Sequence, residues 1–265
     1  MANTIYDNFF LTNEVKDQLN SHLDLQQFCT VDRSLSGTPG MLRKINVYSA
    51  TSGAEKLAMG EGNTKGIEVS FTPEEYRILL AQNYFAYYDE EAMTDPEAIL
   101  AGIKHLGTDL FNLMNKEIYA EFGKANLSVN AATPDFGAFV DAQALLNIED
   151  IESATTFALC HPEDKAKVRK ALKDDLKYVE AYSKTGYLGT VAGTNLYTSN
   201  EATKGEIVVA TKDAVSLFIK KDIEVEQTQR SFEESNTRKN VVFARAYYLA
   251  ALRDKTKASK IILSA

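Results

Sequence analysis

Cys160 and His161 form the one thiol–imidazole neighbourhood in this sequence that invites a nucleophilic reading. Adjacent residues on a strand point to opposite faces, so the pair is poorly placed to act together. Cys160 also ends the apolar run Thr155–Cys160 (TTFALC) and reads as a core cysteine. The glycine-rich text Gly186–Gly193 (GYLGTVAG) superficially resembles a nucleotide loop. A phosphate loop should open a helix, whereas here the strand-like TNLYTS follows. No G-x-x-x-x-G-K-[ST], G-x-G-x-x-G or G-x-S-x-G text occurs. Zinc needs about four ligands at local spacing. His22, His105 and His161 are scattered, and Cys29 lies far from Cys160. The acid pairs Glu74-Glu75, Glu90-Glu91, Asp174-Asp175 and Glu233-Glu234 read as solvated surface. The expectation is a chain that is not an enzyme and takes no metal or cofactor.

Bulk properties narrow the class further. The 265 residues are 45% hydrophobic, enough to build a sizeable core without disulfides. The start, MANTIYDNFF, lacks a basic n-region and an apolar h-region. No apolar run approaches the roughly 20 residues of a membrane span, so a soluble protein made in the cytoplasm is expected. The net charge of −8 is uneven: the last thirty residues hold seven basic residues and only Asp254. That basic end suits either nucleic acid or the acidic surface of a neighbouring subunit.

The elements that must position these residues can be read in order. Residues 1–39 resemble an arm: Val15, Leu19 and Leu23 suit a short amphipathic helix, but there is too little apolar residue for a separate core. Residues 40–80 read as a long hairpin. Strands at Met41–Ala50 and Ile67–Thr72 flank the polar loop Thr51–Gly66, and Ile67, Val69 and Phe71 share one face. A polar loop this long is either disordered or ordered by a surface outside its own domain. Tyr76–Asp89 reads as a core strand.

Thr94 or Asp95 as N-cap, Pro96 in the first turn, and Ile99, Ile103, Leu106, Leu110, Leu113 or Met114, and Ile118 then specify a long helix, with Gly123 at its C′ position. Residues 134–222 look α/β, with helices at 135–147 and 162–176 and strands at 155–160, 206–212 and 214–219. The end returns to strands at 222–230, 240–252 and 260–263.

This order of elements resembles the major capsid proteins of tailed phages, the Hong Kong phage capsid fold. The resemblance covers essentially the whole chain. Its most specific texts are Leu57–Gly60 (LAMG) with the following GNTKGIEVSFT, and Val241–Leu252 (VVFARAYYLAAL). The resemblance implies an α+β fold with an N-terminal arm (1–39), an E-loop hairpin (40–80), a P-domain with a spine helix (81–133 and 220–265) and an A-domain (134–219). It implies assembly with itself into pentamers and hexamers of an icosahedral shell in the virion capsid, after synthesis in the host cytoplasm. It further implies a scaffolding protein and a portal protein as partners, packaged double-stranded DNA as an indirect one, and no membrane. Candidate intersubunit contacts are Lys56, Glu61 and Lys65 in the loop, and Lys255, Lys257 and Lys260 in the basic end. Some relatives join subunits through a hairpin lysine; Lys56 and Lys65 lie in that region, but no asparagine or glutamate partner can be matched. The alternatives are an encapsulin shell protein and an α/β enzyme with an unrecognised site.

Overall fold

The long helix forms where its periodicity demands. The computed structural model describes residues 24–37, 39–51, 53–94, 96–148, 155–173, 189–227 and 231–263. After the short helix α1 (Asp89–Thr94), helix α2 (Pro96–Phe122) runs 27 residues, about 40 Å of spine. Ile103, Leu106, Leu110, Met114, Ile118 and Phe122 are buried along one stripe, so Met114 and not Leu113 continues the pattern. Each such side chain contributes about 2 kcal/mol of burial. Pro96 opens the helix as expected, but of the two cap candidates Thr94 belongs to α1, where its hydroxyl donates to the Glu90 carbonyl at 2.7 Å, and Asp95 lies outside the described residues. Gly123 closes α2 by donating to the Tyr119 carbonyl at 2.9 Å, without a left-handed φ.

The spine packs on a four-stranded sheet. Its order is β1 (Thr30–Asp32), β10 (Val215–Gln227), β11 (Lys239–Leu252) and β4 (Leu79–Tyr88). β11 shows the alternation that a half-covered sheet requires: Val242, Ala244, Ala246, Tyr248 and Ala250 face the core. The strands expected at 214–219 and 222–230 are one strand, β10. It stays paired to β11 through register irregularities between Ile219 and Glu224 that absorb the change in hydrophobic phase. The single core strand expected at Tyr76–Asp89 is likewise broken at Ile78, whose N–H turns to the Met41 carbonyl at 2.8 Å.

A second sheet has six strands in the order β5 (Leu127–Ala131), β12 (Ala258–Leu263), β9 (Glu206–Thr211), β6 (Thr156–Cys160), β8 (Thr194–Thr198) and β7 (Thr190–Val191). Phe157, Leu159, Val208 and Ala210 face the spine. Ala158, Cys160, Ile207 and Val209 face helices α3 (Phe136–Ala144) and α4 (Pro162–Ala171). The two sheets divide the chain differently from the limits the resemblance implied. β5 and β12, expected with the spine, lie in the six-stranded sheet, and residues 215–219 lie in the four-stranded one. Sheet membership is a matter of long-range pairing, which local pattern does not carry.

The segment expected to be an arm through residue 39 is core from Asp24 onwards. Leu25 and Phe28, in a 3-10 turn at Leu25–Phe28, and the following Cys29 are buried against the spine, and β1 pairs with β10 in parallel. The Leu25 N–H donates to the spine's Asn115 Oδ1 at 3.2 Å in a buried setting. Phe28 meets Phe157 and Tyr197 at ring distances of 4.8 and 4.7 Å. The helix expected around Val15, Leu19 and Leu23 lies outside the described residues.

Candidate assembly surfaces

A separate two-stranded sheet forms from β2 (Leu42–Ala50) and β3 (Val69–Arg77), paired antiparallel over nine positions from Leu42↔Arg77 to Ala50↔Val69. Isolated two-stranded ribbons are marginal in water, so its base must be held. Ile78 is buried there, Tyr76 stacks on Phe218 at 5.3 Å, and Lys220 Nζ donates to the Gly40 carbonyl. Gly40 sits at φ 114°, a backbone that only glycine adopts without strain.

The long loop makes hydrogen bonds of its own. The Glu55 carboxylate accepts from the Thr64 N–H (2.9 Å) and hydroxyl (2.7 Å), which holds its pKa below the usual carboxylate range. Glu61 Oε2 accepts from the Ala58 N–H at 3.2 Å. Gly53 is buried so tightly that a Cβ would lie 3.0 Å from the Gly66 and Ile67 backbone.

What this scaffold presents is apolar. Ile67, Val69 and Phe71 are 67%, 62% and 63% exposed, and Met59 at the loop apex is wholly exposed beside Leu57. The alternation anticipated at these positions is real, but its apolar side faces water. Lys56, Glu61 and Lys65 are exposed around it.

The basic end divides. Lys255 is exposed. Lys257 reaches Asp213 (3.8 Å) and Asp254 (3.9 Å) of its own chain. Half-buried Lys260 donates to the Gly123 carbonyl at 3.0 Å, neutralising the C-terminal end of the spine. Lys257 and Lys260 thus already have partners within the subunit.

The candidates for chemistry take structural places. Cys29 and Cys160 are buried free thiols, each pushed up to about 12 chiefly by burial, so both stay protonated and unreactive near neutrality. His161 caps α4, its Nδ1 accepting from the Glu163 N–H at 3.2 Å. His105 is exposed on the spine. In the glycine-rich text, Ala192 (φ 49°) and Gly193 (φ 79°) make the tight turn between β7 and β8. Buried Gln143 steadies that turn by donating to the Ala192 carbonyl at 2.8 Å. Glu75 pairs with Lys44 (2.5 Å) and Glu90 with Arg238 (2.5 Å), while Asp174 and Asp175 lie outside the described residues.

One surface element escaped the sequence reading. Helix α5 (Phe232–Thr237) starts in a capping box between Ser231 and Glu234 and leaves Phe232 almost fully exposed, while Arg238 at its other end pairs with Glu90 of α1. The S-x-x-E spacing was its signal.

No family model matches the chain. It is 24% identical over 257 residues to the major capsid protein of Staphylococcus phage phiMR11, covering 92% of this chain and 88% of that protein. Among solved structures, the mature capsid of bacteriophage PhiM1 superposes with a TM-score of 0.71 at 10% identity, covering 89% of this chain and 85% of that one. The SrpI encapsulin complex of Synechococcus elongatus gives 0.63 at 10% identity, covering 90% and 86%. The fold is the phage capsid fold, with the hairpin, spine helix and α/β region in the order that the sequence anticipated.

Proposed function

We propose that the chain is a major capsid protein, which assembles with itself into pentamers and hexamers that close an icosahedral shell around packaged double-stranded DNA. The observation that carries this reading is the hairpin. It is internally bonded and anchored at its base, yet it holds Ile67, Val69 and Phe71 out in water. Apolar exposure of this kind on a pre-ordered ribbon is costly for a monomer and useful when a second copy covers it. The similarity to the phiMR11 protein along nearly the whole chain supports the same reading.

The role is structural rather than enzymatic, and the product resides in the virion capsid after synthesis in the host cytoplasm. The hairpin of β2 and β3 then serves as the E-loop, the four-stranded sheet with the spine as the P-domain, and the six-stranded sheet with α3 and α4 as the A-domain. A scaffolding protein and a portal protein are its expected partners, and DNA is an indirect one. An acidic protein of net charge −8 suits that role, because a basic lining would grip phosphates in a salt-dependent way. The likeness to the SrpI encapsulin favours, as a second reading, a protein nanocompartment shell.

Negative-stain microscopy of the purified chain tests the proposal. Closed angular shells or capsomer rings are expected. Deleting Ser52–Lys65 should leave a folded subunit without stable shells. A uniform population of small globules from the intact chain overturns the proposal. Shells that pack cargo protein rather than DNA would favour the nanocompartment.

A further inference from the structure

A strand at the edge of a sheet leaves one row of its N–H and C=O groups unpaired, and folded chains blunt such rows with charge, proline or a bulge. β4 has none of these over its ten residues (LLAQNYFAYY), and in its sheet it pairs on one side only, with β11. Its free row carries the N–H groups of the even-numbered residues, because two of them bond outside the ladder. The Tyr84 N–H donates to Asn83 Oδ1 at 2.8 Å and the Tyr88 N–H to Glu91 Oε2 at 2.9 Å. Both bonds are exposed, so a neighbour's carbonyl can replace either acceptor. The even-numbered residues also turn apolar side chains away from the spine: Leu80, Tyr84 and Tyr88 are 46%, 63% and 44% exposed.

The two ends of this uncharged strand differ in sign. Just before it, exposed Arg77 shares a face of the hairpin with Glu75, which Lys44 neutralises at 2.5 Å, while Glu74 and Arg43 lie on the other face. Just after it come Asp89, Glu90 and Glu91. Arg238 meets Glu90 at 2.5 Å, Asp89 accepts from the Asn240 amide at 2.7 Å, and Lys239 acts on Glu234. The strand therefore begins basic and ends acidic.

We infer that β4 of one copy pairs antiparallel with β4 of a second copy, in register about Tyr84, and joins the two four-stranded sheets into one. Tyr84 then opposes Tyr84 and Leu80 opposes Tyr88, so the exposed apolar side chains cover one another. The Tyr84 and Tyr88 N–H groups pass to the second copy's Tyr84 and Leu80 carbonyls. The freed Glu91 carboxylate lies beside the second copy's Arg77, whereas parallel pairing would set like ends together. The joined sheet of about eight strands stays within the ordinary range. Antiparallel pairing of identical strands has a twofold axis. The contact rests on the shell reading for its place, between neighbouring rings, and is independent of the hairpin.

Cross-linking of the full-length chain tests it. In this register residue 84 lies about 5.5 Å from its copy, Cα to Cα, within disulfide reach. Residue 82 lies about 14 Å from its copy, beyond reach. Under mild copper-catalysed oxidation Tyr84→Cys should give a dimer on a non-reducing gel, and so should Leu80→Cys/Tyr88→Cys, which keeps Tyr84. Wild type and Gln82→Cys should not, since Cys29 and Cys160 are buried. Arg77→Glu should lower shell yield at low salt at least about fivefold, and adding Glu91→Arg should restore it to within about twofold. Ala86→Pro removes one N–H of the free row and leaves the β11 ladder intact, so shell yield should fall while the unassembled subunit melts within about 3 °C of wild type. Shells in which neither cysteine variant cross-links overturn the pairing and leave the shell reading standing; loss of assembly in Ala86→Pro alone would then mean that a different segment covers the edge. Cross-linked dimers that never close into shells overturn the shell reading alone. A wild-type chain that never leaves the monomer overturns both.

Discussion

Replacing Phe71 by serine separates assembly from folding. Phe71 is 63% exposed on the outer length of the hairpin. A phenylalanine presents roughly 200 Å², so about 125 Å² stays in water until a second copy covers it. At about 25 cal/mol per Å² that area is worth about 3 kcal/mol per contact. Its loss therefore corresponds to a shift of roughly 100-fold in the concentration at which shells form. The rest of the side chain, roughly 75 Å², is covered within the subunit and at the same coefficient is worth up to about 2 kcal/mol, so the subunit's own Tm should fall by no more than about 6 °C, short of the loss from a core phenylalanine. The assay pairs thermal unfolding of unassembled subunits with sedimentation of shells across a concentration series. Phe71→Ser that assembles at the wild-type threshold, or that melts as early as a core substitution, refutes the argument that this face awaits a neighbour.

Two further predictions concern the subunit alone. A Cβ at Gly102 of the spine would lie 2.5, 2.6 and 2.8 Å from ring carbons of Phe85. Gly102→Ala should therefore destabilise by about 1–2 kcal/mol net, with overpacking exceeding the ~1 kcal/mol gain in helix propensity. Adding Phe85→Leu should recover part of the loss in thermal melts, and a Gly102→Ala chain more stable than wild type would contradict the packing. The pH dependence follows from burial. Cys29 and Cys160 are pushed up to about 12 by desolvation, Tyr76 to about 12 by desolvation and its bond to Glu74, and Tyr119 and Tyr248 are raised chiefly by burial. Each group keeps its proton longer when folded, so its contribution is complete below the unfolded pKa and is lost as pH rises toward the folded one. Stability should be flat with respect to these groups up to about pH 8 and fall from about pH 9 to 12. Melts in that range, with Cys29→Ala/Cys160→Ala removing the thiol part, check it, and an unchanged Tm at pH 11 would contradict the burial.

Much of the fold was legible because it is local. The three-and-four spacing from Ile103 to Phe122 specifies a helix whatever surrounds it, and the alternation of Ile67, Val69 and Phe71 specifies a strand. The Ser231–Glu234 capping box marks a helix start in the sequence, but a six-residue helix has no periodicity to show its length. The absence of a helix after Gly193 was readable from TNLYTS, and the turn at Ala192 and Gly193 agrees with it.

The candidate surfaces were legible only in part. Period two says which side chains share a face, but not whether anything covers that face, so the exposure of Phe71 emerged only in the folded chain. Composition marked Lys255, Lys257 and Lys260 as one basic group. Long-range geometry then gave Lys260 to the Gly123 carbonyl, 137 residues away, and brought Lys257 toward Asp213. Likewise Leu25, Phe28 and Cys29 are buried by residues of the spine and β6, far from them in the chain. What the sequence by itself determined was the type and order of elements, since backbone preference and hydrophobic period act over a few residues. Which sheet each strand joined, and which apolar faces were left uncovered, the tertiary structure alone decided, because those depend on contacts between residues far apart in the chain.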